Sequence, residues 1–285
     1  MKAKIVYYTG TGGSEIVANT FKENLISKNI EVSIERIISG KTIKEEEFDT
    51  LFLIYAVHAF NAPAPVYSWI DDNFGENKMA VVISVSAGGE MISNTACRTK
   101  AIKKLSQRGF DVIYEQMVIM PNNWMIPTSE TLSLLLLDIL PIKVNKIVDD
   151  IINGVRKRTS PILIDRLISY CGEGENKFTV KFGQNIITHD SCTACGLCVK
   201  NCPSKNISII DQKASFDSKC DMCLGCIYSC PQGALEAGKW KFQIIKTGFS
   251  LKLLSKRRIN KSEIDIKQEA KGFLWSGVRK YLLEE

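Results

Sequence analysis

Short apolar runs alternate with amphipathic segments over the first 150 residues of the chain. The runs are rich in β-branched and aromatic residues, which predicts strands. They are "AKIVYY" (3–8), "EVSIERI" (31–37), "FDTLFLIYAV" (48–57), "KMAVVISVS" (78–86) and "FDVIYEQMVIM" (110–120).

The segments between these runs carry the helical period. Val17, Phe21 and Leu25 recur four positions apart, which predicts a helix over 14–28 that starts near Ser14. Further helices are predicted over 63–74, 93–109 and 129–158, and a short one over 160–170; Pro141 can kink the fourth of these five. Alternating strands and helices predict an α/β fold, a doubly wound parallel five-stranded sheet whose apolar strands are covered on both faces.

The composition is that of an ordinary globular protein, with 45% hydrophobic and 24% charged residues among 285. The most apolar run, 132–140, is too short to cross a bilayer, and the first residues lack the pattern of a signal peptide. We therefore expect no membrane span and a cytoplasmic location, where thiols stay reduced.

Charge is distributed unevenly. Residues 1–185 hold 21 basic and 21 acidic residues, residues 186–237 hold 4 and 5, and residues 238–285 hold 12 and 5. The excess lies in the C-terminal extension, around "KLLSKRRINK" (252–261). Such a tail can meet nucleic acid, an anionic surface or an acidic protein, or it can pack on the rest of the chain. Its interleaved apolar residues favour packing or a protein interface, so nucleic acid is not expected.

Eight of the ten cysteines stand in two copies of one phrase, C-x2-C-x2-C-x3-C-P. The repeat continues beyond the cysteines and aligns "PSKNI" (203–207) with "PQGAL" (231–235), so that Ile207 corresponds to Leu235. This predicts a module of two similar halves that pack on each other. Zinc sites use closed sets of four ligands, which fits this spacing poorly. Disulfides suit small secreted domains, and nothing here indicates secretion.

The phrase resembles the cluster-binding motif of clostridial-type two-cluster ferredoxins over residues 186–237. In that pattern three close cysteines and the fourth cysteine of the other copy hold each [4Fe–4S] cluster. The resemblance implies two sets of ligands: Cys192, Cys195, Cys198 and Cys230; and Cys220, Cys223, Cys226 and Cys202. His189, Cys97 and Cys171 lie outside the pattern and are given no role.

Hydroxyls alternate with glycines at the end of the first predicted strand, where a helix follows at once. The residues are Thr9, Gly10, Thr11, Gly12, Gly13 and Ser14. Backbone N–H groups, hydroxyls and a helix N-terminus together favour a phosphate group. The loop has neither the lysine of a Walker A motif nor the spacing of a dinucleotide site.

This loop resembles the FMN-phosphate loop of flavodoxins. The resemblance implies that two further loops approach the flavin ring: Val57, His58, Ala59, Phe60 and Asn61; and Ser86, Ala87, Gly88 and Gly89. Phe60 is expected to stack on the ring. The second loop lacks the aromatic residue that many flavodoxins place there, and Trp124 is the candidate replacement. The alternative is a flavodoxin-like domain that holds no FMN.

The arrangement over residues 1–237 resembles the flavodoxin–ferredoxin fusion proteins of anaerobic bacteria and archaea. It implies a flavodoxin-like FMN domain (1–159), a helix and linker (160–185) with "CGEGENK" at 171–177, a ferredoxin domain (186–237) and the basic extension (238–285). We expect an electron-transfer flavoprotein that relays electrons between two clusters, FMN and an external redox partner, another iron–sulfur protein or flavoprotein. The alternative is a flavin-dependent reductase of a small organic acceptor. No catalytic acid or base is identified.

Overall fold

The computed structural model describes residues 1–40, 47–91, 94–172, 176–257, 259 and 264–284. Three sequence-based expectations reach outside this range. They concern the first residue of the helix predicted over 93–109, the centre of the linker at 173–175, and Arg258, Asn260 and Lys261 of the basic run.

Five parallel strands form the predicted sheet: β1 Lys2–Tyr8, β2 Glu31–Arg36, β3 Thr50–Ala56, β4 Met79–Ser86 and β5 Asp111–Ile119. Their order across the sheet is β2-β1-β3-β4-β5. This is the flavodoxin-like strand order. Its topological switch point lies between β1 and β3, and ligands of such sheets bind there, beyond the carboxyl ends of the strands. The predicted fold class is confirmed.

Helices cover both faces of the sheet, as the buried and largely apolar central strands require. The bounds are α1 Gly13–Ser27, α2 Ala64–Asp71, α3 Thr99–Gln107 and α4 Glu130–Ile152. Along β3 the side chains alternate: Phe52 and Ile54 pack with α1 and α4, whereas Leu53 packs with α2 and α3 on the opposite face.

Two helices, α3 and α4, differ from their predicted bounds by six residues at one end. α3 begins at Thr99 because the side chain of Asn94 donates to Ser86 Oγ at 2.9 Å and to the carbonyl of Gly89 at 3.1 Å, which holds the preceding residues in a turn. α4 continues through Pro141 and ends at Ile152, well before the predicted residue 158. Gly154, with φ of 75°, follows its end and turns the chain away.

The cysteine-rich module consists of short elements. α5 Leu163–Gly172 and α6 Asn176–Gln184 precede it, and it contains β6 Ile187–Thr188, α7 Leu197–Asn201, β7 Ile207–Ile210, β8 Lys213–Phe216, α8 Gly225–Ser229 and β9 Leu235–Glu236. β6 pairs with β9 and β7 with β8, both antiparallel. Ile207 and Leu235, which correspond in the sequence repeat, lie in one core cluster.

The basic extension packs on the rest of the protein. It contains a 3₁₀ turn over Gly238–Gln243, α9 Leu251–Leu254, α10 Ile266–Glu269 and α11 Ser276–Leu283. Val278, Tyr281 and Leu282 of α11 are buried against α4 and the end of β5. Within the described ranges, no helix is both long enough and apolar enough to cross a membrane.

Candidate functional site

The eight motif cysteines line two separate cavities. Cys192, Cys195, Cys198 and Cys230 surround one cavity, which we call the outer site. Cys202, Cys220, Cys223 and Cys226 surround another, the inner site. The structure thus brings together the same two sets of four that the sequence resemblance implies.

The module supplies backbone donors to the sulfur atoms. The amides of Asn206, Met222 and Ala234 each lie 3.3 Å from a cysteine Sγ, those of Cys202, Cys220 and Cys230 respectively. Hydrogen bonds to the sulfurs are among the factors that set the potential of an iron–sulfur cluster. Burial raises the pKa of the Cys220 and Cys223 thiols to about 12 each, so both need a metal partner to be held as thiolates.

The cysteines do not converge as the ligands of a single ion would. Among the described residues, no three His, Cys, Asp or Glu side chains are close enough to hold one metal ion. Four thiols arranged around one cavity, rather than directed at one point, fit a polynuclear cluster instead. This geometry argues against the zinc alternative.

The glycine loop connects β1 to α1 as predicted. Gly12 caps the helix with φ of 96°, and its amide donates to Thr9 Oγ1 at 3.1 Å. Ser14, in the first turn of α1, is 1% exposed, and its hydroxyl has no hydrogen-bond partner. Buried hydroxyls are nearly always paired, so an unpaired one beside the free N–H groups of a helix N-terminus fits an anion such as a phosphate.

The two loops expected around a flavin ring lie at the same edge of the sheet. The amide of Val57 donates to the carbonyl of Val85 at 2.9 Å, which joins the end of β3 to the end of β4. His58 and Asn61 exchange backbone hydrogen bonds across the turn that contains Phe60, and Phe60 is 39% exposed.

Segments from outside the sheet domain support both loops. The Asn61 side chain donates to the carbonyl of Ser169 in α5 at 2.6 Å. On the other loop, Gly277 of α11 packs so closely that a β-carbon there would overlap the carbonyl oxygen of Gly88. The basic extension therefore forms one wall beside the Ser86–Gly89 loop, a role that no sequence signal indicated.

Trp124 lies in the loop between β5 and α4 and is 44% exposed. Its neighbour Asn123 donates to Thr11 Oγ1 at 2.8 Å, so this loop reaches the glycine loop. The structure thus brings Trp124 to the edge where the other candidate residues meet.

A polar group that sequence reasoning missed lies where the sheet domain meets the inner site. The Asp221 carboxylate is 3.5 Å from the Tyr8 hydroxyl and also pairs with Ser204 Oγ, and burial raises the pKa of Asp221 to about 6. His58 Nδ1 lies 3.1 Å from the Asp221 carbonyl oxygen, and its ring meets the Tyr8 ring edge-on. Burial lowers the pKa of His58 to about 4 and keeps the ring neutral.

Backbone contacts join the inner site directly to the glycine loop. A β-carbon on Gly10 would lie 2.5 Å from the carbonyl oxygen of Cys223, and one on Gly225 would lie 2.5 Å from the carbonyl oxygen of Gly10. The Arg36 guanidinium donates to the carbonyls of both Thr9 and Asn201, at 3.1 and 2.8 Å.

The remaining candidates stand apart from these contacts. His189 is exposed and lies 3.2 Å from Glu236. Cys97 is buried beside Arg98, and Cys171 is exposed at the end of α5.

Comparisons with known proteins bear on the two parts of the chain separately. Residues 184–246 match the 4Fe-4S dicluster domain family. No curated protein matches the chain. Among solved structures, the chain is similar to a flavodoxin from the domain Archaea, at 13% identity and a TM-score of 0.38, and to oxidised Flavodoxin 2 from Bacillus cereus, at 16% and 0.40. Each alignment covers 53% of this chain and 99% of the other.

The strand order and the family match together define the architecture. A flavodoxin-like α/β domain precedes a 4Fe-4S dicluster ferredoxin domain, as the sequence resemblance predicted. The eight cysteines of the dicluster domain imply two clusters, and this combination of domains indicates electron transfer.

Proposed function

We propose that the protein is an electron-transfer flavoprotein that relays electrons between its two [4Fe–4S] clusters, a bound FMN and an external redox partner in anaerobic metabolism. The contact between the inner site and the glycine loop carries this proposal, because it sets Cys223 against Gly10 with no intervening side chain. Such proximity suits transfer between a cluster and a cofactor in the neighbouring domain.

The residues of the glycine loop fit the phosphate of FMN. The unpaired Ser14 hydroxyl and the amides at the start of α1 supply donors, and Thr9 and Thr11 stand beside them. Val57–Asn61 and Ser86–Gly89 would flank the ring. When bound, FMN accepts either one or two electrons, so it can couple one-electron carriers to a two-electron reaction.

The protein's own groups would position and tune these cofactors. The N–H groups directed at Cys202, Cys220 and Cys230 would stabilise negative charge on the sulfurs. Neutral His58 and the protonatable Asp221 border the inner site without adding a fixed positive charge there. The external partner is expected to be another iron–sulfur protein or flavoprotein.

Metal and flavin analysis of the protein purified without oxygen tests this proposal. We expect about eight irons, about eight sulfides and about one FMN per chain. Eight irons without flavin would contradict the relay to FMN and leave only the clusters. Zinc in place of iron would refute electron transfer altogether.

A second candidate is a flavin-dependent reductase of a small organic acceptor. It is favoured by a cleft next to the Val57–Asn61 loop, whose lining includes His58, Asn61, Tyr67 and Lys100. Turnover of a defined organic acceptor by the reduced holoprotein, abolished by Tyr67→Ala, would establish it. Electron exchange with protein carriers alone would favour the relay.

A further inference from the structure

The two cysteine sites differ in where they face. Cys223, Gly225 and Asp221 lie in or beside the inner site. They contact the edge of the sheet next to the glycine loop and so join the ferredoxin domain to it. The amide of Ser39 adds one more, to the carbonyl of Pro203 at 2.7 Å, directly after Cys202.

The outer site lies on the solvent side of the module. Cys195 is exposed, as are Thr193 and Gln232, which line the same cavity. Asp190 pairs with Lys213 at 2.6 Å, and His189 lies 3.2 Å from Glu236, both within the module.

We infer that electrons enter and leave the chain through the outer site, and that they cross to the flavodoxin-like domain only from the inner site, at the contact of Cys223 and Gly225 with Gly10. The inference rests on the proposed function and specifies its order. The external reactant is a protein that carries one electron at a time. Each step moves a single electron, which oxidises the centre it leaves and reduces the centre it enters, and no bond forms or breaks.

The order follows from what each site adjoins. An external carrier that docks on the surface formed by Thr193, Cys195 and Gln232 comes close to the outer site. The inner site instead adjoins the flavodoxin-like domain, which contacts it at Tyr8, Gly10 and His58.

A negative charge added beside each site tests which of the two sites receives the external electron. We would mix the oxidised holoprotein with a reduced two-cluster ferredoxin as the probe and follow the cluster absorbance in a stopped-flow instrument. Gln232→Glu adds a negative charge at the outer site. Ser218→Glu is the matched control, because Ser218 is exposed and lies two residues before Cys220 of the inner site. We expect Gln232→Glu to slow reduction at least fivefold and Ser218→Glu to change it less than twofold. Equal slowing, no slowing, or greater slowing by Ser218→Glu would overturn the inference.

A second measurement does not depend on rates. Tyr8→Phe removes the hydroxyl that faces Asp221, beside Cys220. We expect it to shift the midpoint potential of one cluster in a redox titration followed by electron paramagnetic resonance, and to leave the other unchanged. Cys195→Ala identifies the outer cluster by loss of its signal. If that variant does not assemble, Gln232→Glu, which replaces no cysteine, identifies the outer cluster by a small shift of its midpoint potential.

A shift of the outer cluster in Tyr8→Phe, or of neither, would overturn the inference. Both measurements read the clusters, so they can be made on a protein without flavin. Absence of FMN would refute the proposed function, whereas the order of the two cysteine sites could still be tested.

Discussion

The α-carbon of Gly10 lies directly against Cys223, so that a β-carbon on Gly10 would stand 2.5 Å from the Cys223 carbonyl oxygen and 2.6 Å from its β-carbon. These two residues are separated by more than 200 positions in the chain, yet they are in direct contact where the two domains meet. Only glycine at position 10 allows this approach without displacing backbone atoms.

Gly10→Ala should therefore destabilise the holoprotein. The overlap is with backbone rather than with a flexible side chain, and overpacking of this kind costs about 1–3 kcal/mol. Gly13→Ala is the control in the same loop, since its β-carbon would meet only Leu251 and Met120, at 3.8 and 3.9 Å. Calorimetric melting of both variants decides the matter. Equal melting temperatures would contradict the close contact.

The sheet could be predicted from the sequence because the pattern that indicates each strand or helix lies within a few neighbouring residues. The apolar run of β3 and the spacing of Val17 and Phe21 in α1 predict elements that the structure contains at nearly the same bounds. Contacts between distant residues carry no such signal, and Tyr8 meets Asp221 across 213 positions.

α5 shows why helical periodicity can also mislead. Its buried residues are polar, Asp165 and Ser169, whereas Leu163 and Leu167 are exposed. Asp165 contacts Thr95 and Ser169 contacts Asn61, so hydrogen bonding to two loops of the sheet domain decides which face lies inside. An apolar face read from the sequence alone would have been assigned to the core.

Ser14→Ala should weaken FMN binding without weakening the protein that lacks FMN. The hydroxyl is buried and unpaired, so removing it costs the flavin-free fold no hydrogen bond. A hydrogen bond to a charged group contributes about 1.5–3 kcal/mol, which corresponds to a loss of affinity of roughly 10- to 100-fold. Fluorescence titration with FMN measures the loss, and riboflavin, which has no phosphate, is the matched control ligand. Equal losses for FMN and riboflavin would show that Ser14 does not contact the phosphate.

Arg98→Met should be strongly destabilising. Arg98 is fully buried and donates to Glu115, Ser84 and Glu90, each at 2.8 Å. Removing one partner of a buried ion pair leaves the other charge uncompensated and costs about 3–5 kcal/mol.

Arg156→Met provides the matched comparison, because Arg156 pairs with Asp111 at 2.6 Å at the surface, where 60% of its side chain is exposed. Exposed pairs contribute little to stability, because water and salt screen them. Urea unfolding should show a much larger loss in the free energy of unfolding for Arg98→Met than for Arg156→Met. Losses of similar size would mean that the Arg98 cluster does not stabilise the fold.

Gly277→Ala should release α11 from the Ser86–Gly89 loop. A β-carbon at this position would overlap the Gly88 carbonyl oxygen, so the helix has to move away. Hydrogen exchange of residues 276–283 should become faster in this variant and stay unchanged in Lys280→Ala, which alters an exposed position of the same helix. Unchanged exchange in Gly277→Ala would contradict the packing of the extension on this loop.

His58 should make the protein less stable in mild acid. Burial lowers its pKa to about 4, whereas in the unfolded chain the pKa of histidine is about 6.5. Between these values the unfolded state takes up a proton that the folded state does not, so the free energy of unfolding falls as the pH falls from about 6.5 towards 4. The effect is absent above that window and amounts to at most about 3 kcal/mol.

His58→Gln should flatten the pH dependence in this range, because it removes the group that the folded state cannot protonate. The chain has only two histidines, and the exposed His189 gives the control His189→Gln. Urea unfolding of the three proteins from pH 4 to pH 8 tests this, and the difference from wild type isolates His58 from carboxylates that titrate over the same range. Parallel curves for wild type and His58→Gln would show that His58 is not held neutral by the contact between the two domains.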